Sequence, residues 1–247
     1  MGYDKGPSLP GARLEDADFS GARLHAPNFE GVKITDAWFR DADISGDLEG
    51  LRLNGIEVAP LVTAELERLH PERAVLRASD PLGLAEAWTL IEDRWAATVA
   101  RARALPSSSL AERVDDEWSF LETLRHLVLA TDCWLRRMVL GMERPYHPWG
   151  VTGSWLSDPA AWGLDPTASP SLDEVLDVRR ERMDEVRRVI AGLTPEELGR
   201  VCVPPEAVGH PTAPHTVLEC LHVILDEEWE HHRYAVRDLA VLESQVT

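Results

Sequence analysis

The sequence predicts a mainly α-helical protein, with four long amphipathic helices in its C-terminal two thirds and a short repetitive segment before them. In four stretches of about 20 residues, large apolar residues recur at spacings of three and four, which is typical of amphipathic helices. Three of these stretches begin with Ser/Thr-x-x-Glu, a capping box that satisfies unpaired amides of the first helical turn. Such helices bury their apolar faces against one another, so we expect an up-down four-helix bundle.

Residues 1–58 contain the repetitive segment, in which a large apolar residue occupies every fifth position. The series consists of Leu14, Phe19, Leu24, Phe29, Ile34, Phe39 and Ile44. A period of five belongs to neither a helix nor a strand. Together with small residues two positions earlier, such as Ala12 and Ala17, the series resembles the pentapeptide-repeat family. The resemblance implies a short quadrilateral β-helix in which every fifth side chain points inward.

Residues 59–82 are interpreted as a linker with one short helix, because Pro71 and the pair Asp80-Pro81 interrupt the chain. The predicted bundle then occupies residues 83–247. Its helices are expected at about 83–105, 119–141, 171–192 and 216–242. The three capping boxes are Ser119/Glu122, Ser171/Glu174 and Thr216/Glu219.

A loop of about thirty residues, 142–170, joins the second and third helices and is rich in Trp, Pro and Gly. Loops of this length are usually functional or disordered. Because tryptophan side chains normally pack, we interpret the loop as a wall over a pocket. The candidates for the pocket lining are His147, Trp149 and Trp155. A packed loop without a function is the alternative.

Two polar residues, Glu228 and His232, interrupt the apolar stripe of the last helix. Residues four apart lie on the same helix face, and a buried carboxylate needs a partner, which one metal ion would provide for both groups. His126, in an apolar stretch of the second helix, supplies a third ligand. His231 lies about 100° around the helix from His232, near Glu227, and is left out of the predicted set.

Two histidines and one carboxylate make up the ligand set of several catalytic zinc sites, and nickel or ferrous iron accepts the same ligands. The sequence pattern leaves an alternative open. In it, His126 is a hydrogen-bonded core histidine, and Glu228 and His232 form an ion pair within the helix.

Two strings around these residues, EWSFLETLRHLVLATDCWL and LHVILDEEWEHHRYAVRDL, resemble the motifs of the DinB-like, or YfiT-like, superfamily of metal-binding helical bundles. The resemblance spans about residues 83–242. It implies that His126, Glu228 and His232 are the metal ligands. Because position 228 holds Glu, where many members have His, the chain resembles the mycothiol-dependent branch of the superfamily. The chemistry implied is S-transfer or thiol-assisted isomerisation of a small-molecule substrate, with zinc and a small thiol such as mycothiol as cofactors, because a metal-coordinated thiol is deprotonated.

The formal charge of −18 disfavours binding to nucleic acid or to anionic membranes. The sequence has neither a signal peptide nor an apolar run of membrane-spanning length, so we expect a cytoplasmic protein. Its three cysteines, Cys133, Cys202 and Cys220, are interpreted as buried free thiols.

Three other functions stay open. A metal-bound water would make the same fold a hydrolase. The acidic repeat segment would suit a non-enzymatic interaction protein. The bundle could also keep its ligands without turnover. The sequence does not identify the substrate, the thiol, the metal, the general acid or base, the role of the repeat segment or the oligomeric state, for which a homodimer is one alternative.

Overall fold

The structure is a computed structural model that describes residues 6–153 and 156–246. The chain divides into two compact units, Met1–Leu61 and Val62–Thr247. The protein is mainly helical, and its strands are short. Among the described residues, none of the helices combines the length and the apolar content needed to cross a membrane.

The first unit is a succession of tight turns that recur every five residues. A residue with positive φ occupies every fifth position, in the series Gly11, Asp16, Gly21, Ala26, Gly31, Asp36, Asp41 and Gly46. Every second turn is closed by a backbone hydrogen bond over three residues, as from the Ala12 amide to the Leu9 carbonyl. The five-residue period of the sequence is therefore present in the backbone.

The apolar row of this unit does not line a closed interior. Its side chains are 52–62% exposed, from Phe39 at the low end to Leu14 at the high end. In the described part of the unit, the only strands are β1, Arg52–Leu53, and β2, Ile56–Glu57, which pair as a hairpin. Among the residues described in this unit, no ladder of strands joins successive turns, and the inward packing expected of a quadrilateral β-helix is not observed.

In the part of the chain that the structure describes, six α-helices follow, four of them long. They are α1 (Ala59–Leu69), α2 (Pro81–Ala102), α3 (Phe120–Thr131), α4 (Leu172–Gly192), α5 (Pro195–Leu198) and α6 (Val217–Val246). A π-helical stretch, Asp132–Val139, continues α3, and 3-10 turns occur at Pro71–Arg77, Ser109–Ala111 and Pro159–Trp162. Two short strands, β3 (Val201–Cys202) and β4 (His215–Thr216), pair antiparallel just before α6. The long helices lie within a few residues of the positions that the apolar periodicity predicts.

The predicted capping boxes are present at the starts of the last three long helices. The hydroxyls of Ser119, Ser171 and Thr216 each accept a backbone amide three residues later, and the glutamate at that position accepts the amide of the capping residue. Asp80 caps α2 in a different way, accepting the amides of Leu82 and Gly83. These bonds satisfy donors that the helix itself leaves unpaired.

The long helices enclose the larger of the two apolar clusters found among the described residues. Helix α2 packs on α4 and α6, and α3 packs on the same two helices. The centre contains large side chains that are almost fully buried, including Trp88, Leu124, Ile224 and Trp229. Leu76, in the segment predicted as a linker, is also buried in this core, so the 3-10 turn around it packs with the helices.

Candidate metal centre

Three potential metal ligands meet where α3 packs against α6. They are His126 of α3 and the pair Glu227 and His231 of α6, four residues apart on one helix face. The Nε2 atoms of both histidines lie 3.2 Å from the same atom, Oε2 of Glu227. One carboxylate oxygen is therefore shared by two imidazoles.

The spacing of these donor atoms suits a tetrahedral ion. Zinc binds nitrogen and carboxylate oxygen at about 2.0–2.2 Å, which places neighbouring ligand atoms about 3.3–3.6 Å apart. The two nitrogen–oxygen distances of 3.2 Å are close to this value. The side chains of His126, Glu227 and His231 are 13%, 32% and 19% exposed, so an ion and an external ligand can reach the site from solvent.

The loop between α3 and α4 orients the first of these ligands. Nδ1 of His126 lies 3.0 Å from the carbonyl oxygen of Val151. A carbonyl only accepts, so Nδ1 carries the proton, and in the neutral ring Nε2 presents a lone pair toward Glu227. A lone pair facing a carboxylate oxygen repels it unless a cation lies between them or the ring is protonated. A histidine that binds a metal through one ring nitrogen typically donates from the other to a backbone carbonyl or a carboxylate, as Nδ1 of His126 donates to Val151.

The carboxylate of Glu227 is ionised at neutral pH. Burial opposes its ionisation, but the adjacent imidazoles of His126 and His231, which stabilise the carboxylate when they are protonated, outweigh burial and hold the pKa of Glu227 well below its usual range. A metal requires its carboxylate ligand in this charged form.

An indole covers both imidazoles. The ring of Trp118 lies 4.4 Å from the ring of His126 and is stacked at 5.6 Å on that of His231. Trp118 ends a short segment in which two consecutive residues, Asp115 and Asp116, have positive φ. Such a conformation is uncommon outside glycine and is often found at functional sites.

Glu228 and His232, two of the three predicted ligands, do not lie in the cluster of His126, Glu227 and His231. Glu228 is 1% exposed and forms a bidentate ion pair with Arg179 of α4, at 2.9 and 2.8 Å. His232 lies 2.8 Å from the hydroxyl of Thr98 and packs edge-on against Trp95. Of the predicted set, His126 lies in the cluster, whereas Glu228 and His232 lie one position further along α6, on its core face.

The position of Glu228 in the core is explained by its ion-pair partner. The sequence argument that Glu228 and His232 are buried is confirmed, since both lie on the core face of α6. The guanidinium of Arg179 neutralises Glu228 there. Burial, and next the charge of Arg94, lower the pKa of His232 to about 4, so its imidazole is neutral in the core at pH 7.

The loop residues predicted to line a pocket, His147, Trp149 and Trp155, are not part of the cluster as the structure describes it. The backbone amide of His147 donates to Asp132, and the carbonyl of Trp149 accepts from Nε of Arg125. Neither side chain belongs to the metal cluster, and Trp155 lies outside the described residues. The loop nevertheless reaches the cluster through the carbonyl of Val151.

A signal for the cluster of His126, Glu227 and His231 was present in the sequence. A metal that exchanges ligands has to lie at the edge of an apolar stripe, where Glu227 and His231 stand, rather than at its centre. Trp118 and the carbonyl of Val151 carry no such signal, because tertiary packing alone brings them to His126.

Comparison with known families agrees with this geometry. A family model described as the DinB superfamily matches residues 90–235, a range that includes all three residues of the cluster. A model of pentapeptide repeats in nine copies matches residues 9–49. Neither the comparison with curated proteins nor that with solved structures gave a match. Both resemblances drawn from the sequence are confirmed by these two family matches.

Proposed function

Because this chain belongs to the DinB superfamily, whose model covers more than half of it, we propose that its long helices form an up-down bundle that binds one divalent metal ion through His126, Glu227 and His231. The observation that carries the proposal is the shared oxygen of Glu227, 3.2 Å from each of two imidazole nitrogens. Zinc suits two nitrogens and one oxygen in a site that keeps a further position open, and nickel or ferrous iron accepts the same set.

We further propose that the ion binds an external small thiol, mycothiol being the first candidate, and that the reaction is an S-transfer or a thiol-assisted isomerisation. When bound, the ion would hold such a thiol as its thiolate at neutral pH. The protein has no reactive thiol of its own, because all three cysteines are buried. Burial raises the pKa of Cys220 to about 12 and raises that of Cys133 further. The nucleophilic sulfur must therefore come from a co-substrate.

Metal content tests the first part of the proposal. The full chain, purified without chelator and offered zinc, should bind one equivalent by elemental analysis. Replacing His126, Glu227 or His231 with Ala should remove most of it, because the two remaining ligands cannot complete the shell. Glu230→Ala is the matched control, since Glu230 lies on the same helix and pairs with Arg73 and Arg233.

The proposal is wrong if the wild type takes up none of the three metals, or if Glu227→Ala retains stoichiometric zinc. The thiol is tested by calorimetric titration of mycothiol into the zinc-loaded and the zinc-free protein. Binding only to the zinc-loaded form is expected. Equal binding to both forms would contradict a metal-held thiol, and turnover of a substrate without any thiol would indicate hydrolysis instead.

A further inference from the structure

Two of the three buried cysteines lie next to each other where the last hairpin meets α6. Cys202 is in β3, and Cys220 is in the first turn of α6. They are 3% and 0% exposed, and both belong to the larger apolar cluster. The thiol of Cys220 forms a hydrogen bond with the thiol of Cys202. The two side chains therefore point toward each other.

The backbone fixes this arrangement of the two thiols. Cys202 pairs with His215 of β4, directly before α6. The amide of Val217, at the start of α6, donates to the carbonyl of Arg200 at 3.0 Å, which holds β3 against the beginning of the helix. A disulfide requires facing side chains, because two cysteines whose Cβ bonds diverge cannot be bridged without backbone movement. The contact between the thiols of Cys202 and Cys220 meets this requirement.

The surroundings of the two sulfur atoms differ. Nη1 of Arg200 lies 3.5 Å from Sγ of Cys202. A neighbouring cation stabilises the thiolate, which is the reactive form of cysteine. Burial, in contrast, raises the pKa of Cys220 to about 12, so that Cys220 stays a thiol. Cys202 is therefore the residue that would attack an oxidant first, and Cys220 is placed to react with the product.

The hairpin that covers the pair is small. Strands β3 and β4 have two residues each, and the neighbours of Cys202 in the chain, Val201 and Val203, are 59% and 69% exposed. Elements with few buried contacts open locally at a low cost in free energy. We expect a small oxidant to reach the pair through such an opening. In the closed fold the same burial keeps both thiols away from a substrate.

We propose that Cys202 and Cys220 are a modification site, at which hydrogen peroxide forms an intramolecular disulfide that ties β3 to α6. The thiolate of Cys202 attacks one peroxide oxygen, the O–O bond breaks, and the departing hydroxide takes up a proton, which leaves a sulfenic acid and one water. The sulfur of Cys220 then displaces the hydroxyl group, which leaves as a second water with the thiol proton. Two thiols are thereby oxidised by two electrons, and one peroxide is reduced to two waters. The inference is independent of the proposed metal.

The first test measures the disulfide equilibrium in glutathione redox buffers, for the full chain folded and in concentrated urea. Samples are quenched with acid, alkylated and mapped by mass spectrometry. The equilibrium constant for the Cys202–Cys220 disulfide should be at least about tenfold larger in the folded chain, because a cross-link that fits the fold is stabilised by it. A value equal to or below that in urea would overturn the proposal, since the fold would then oppose the bond.

The second test treats the folded chain with hydrogen peroxide and counts the thiols that remain. Two should disappear with the loss of two hydrogen atoms in mass, while Cys133, which belongs to the other apolar cluster, can still be alkylated after unfolding. Cys133→Ser is the matched control and should form the same disulfide. Cys220→Ser should form none and should instead accumulate a sulfenic acid at Cys202, which dimedone labels.

Stability gives a third readout. The cross-linked wild type should melt roughly 5–10 °C above the reduced chain, and dithiothreitol should reverse the shift. A disulfide to Cys133, a disulfide between two chains, or a peroxide-treated chain that keeps all three thiols would each overturn the assignment. Should Cys220→Ser fail to fold, the comparison of the folded and the urea-unfolded wild type decides.

Discussion

Glu227 and Glu228 are neighbours in sequence with different partners. Glu228 is held in a bidentate ion pair with Arg179, and both side chains are almost completely buried. Breaking a buried pair by removing one partner leaves an uncompensated charge and typically costs about 3–5 kcal/mol. Glu228→Gln should therefore lower the free energy of unfolding by about that amount, measured by urea denaturation, while its folded fraction retains metal.

The matched control is the double variant Arg179→Met/Glu228→Leu, which replaces both charges by apolar groups. It should be much more stable than Glu228→Gln, because a well-packed apolar pair substitutes for a buried ion pair at little cost. Loss of zinc from Glu228→Gln at wild-type stability would contradict this assignment and favour Glu228 as the ligand.

His232 gives the protein a pH-dependent term in its stability. Its folded pKa is about 4, whereas an unperturbed histidine titrates near pH 6.5. Between these values the unfolded chain binds a proton that the folded chain does not. The stability due to the neutral imidazole is therefore complete above about pH 6.5 and is lost as the pH falls toward 4.

We expect the melting temperature of the wild type to fall over that interval, and that of His232→Gln to fall less steeply. His222→Gln, on the same helix and outside the metal cluster, is the control. An unchanged slope in His232→Gln would show that other groups cause the pH dependence.

For single residues, the sequence predicts which side chains are buried but not which side chains they pair with. The apolar stripe of α6 identifies Glu228 and His232 as core residues, as the structure bears out. The sequence contains 25 Lys and Arg residues, and nothing in their spacing shows which of them reaches Glu228. Long-range pairing is decided by the packing of α4 against α6.

At the scale of elements, the short segment before α3 has a measurable role. It places the indole of Trp118 over both imidazole ligands. Open-shell ions such as copper(II) or nickel(II) quench nearby indole emission, so titrating either ion should reduce tryptophan fluorescence with a saturable end point. Trp118→Phe should lose most of this quenching, while Trp38→Phe, at an 85% exposed position in the first unit, should retain it. Equal quenching in both variants would place the bound ion away from Trp118.

The helices themselves were predictable because local signals agree with the fold. Capping boxes and an apolar period of three and four residues define the long helices, and both are properties of short stretches of sequence. The π-helical continuation of α3 and the exposed apolar row of the first unit were not predictable. The π-helical stretch is closed by local bonds over five residues, such as that from the Leu140 amide to the Leu135 carbonyl, and its residue pattern does not distinguish this spacing from that of an α-helix. The exposure of the apolar row is a tertiary property that the five-residue period does not determine.

For the whole molecule, metal binding should appear as stability. A ligand that binds only the folded state stabilises it by about 2.7 kcal/mol at a free concentration 100 times its Kd. Removing the metal with a chelator should therefore lower the melting temperature of the wild type by roughly 5–10 °C. The Glu227→Ala variant, which lacks a ligand, should melt at the same temperature with and without chelator. A wild type indifferent to chelation would contradict a metal bound to the folded state.

The two Glu-x-x-x-His pairs of α6 are related by a screw motion of one residue, about 100° of rotation and 1.5 Å of rise. The inner pair, Glu228 and His232, has a permanent counter-ion, because the guanidinium that neutralises Glu228 belongs to Arg179 of the same chain. The outer pair, Glu227 and His231, faces the position proposed for the metal ion, which is an exchangeable counter-ion. Because the permanent cation neutralises the core face, departure of the exchangeable cation leaves no buried charge there uncompensated. We therefore expect the chain to stay folded when the proposed metal leaves, unlike small domains that fold around a structural zinc ion.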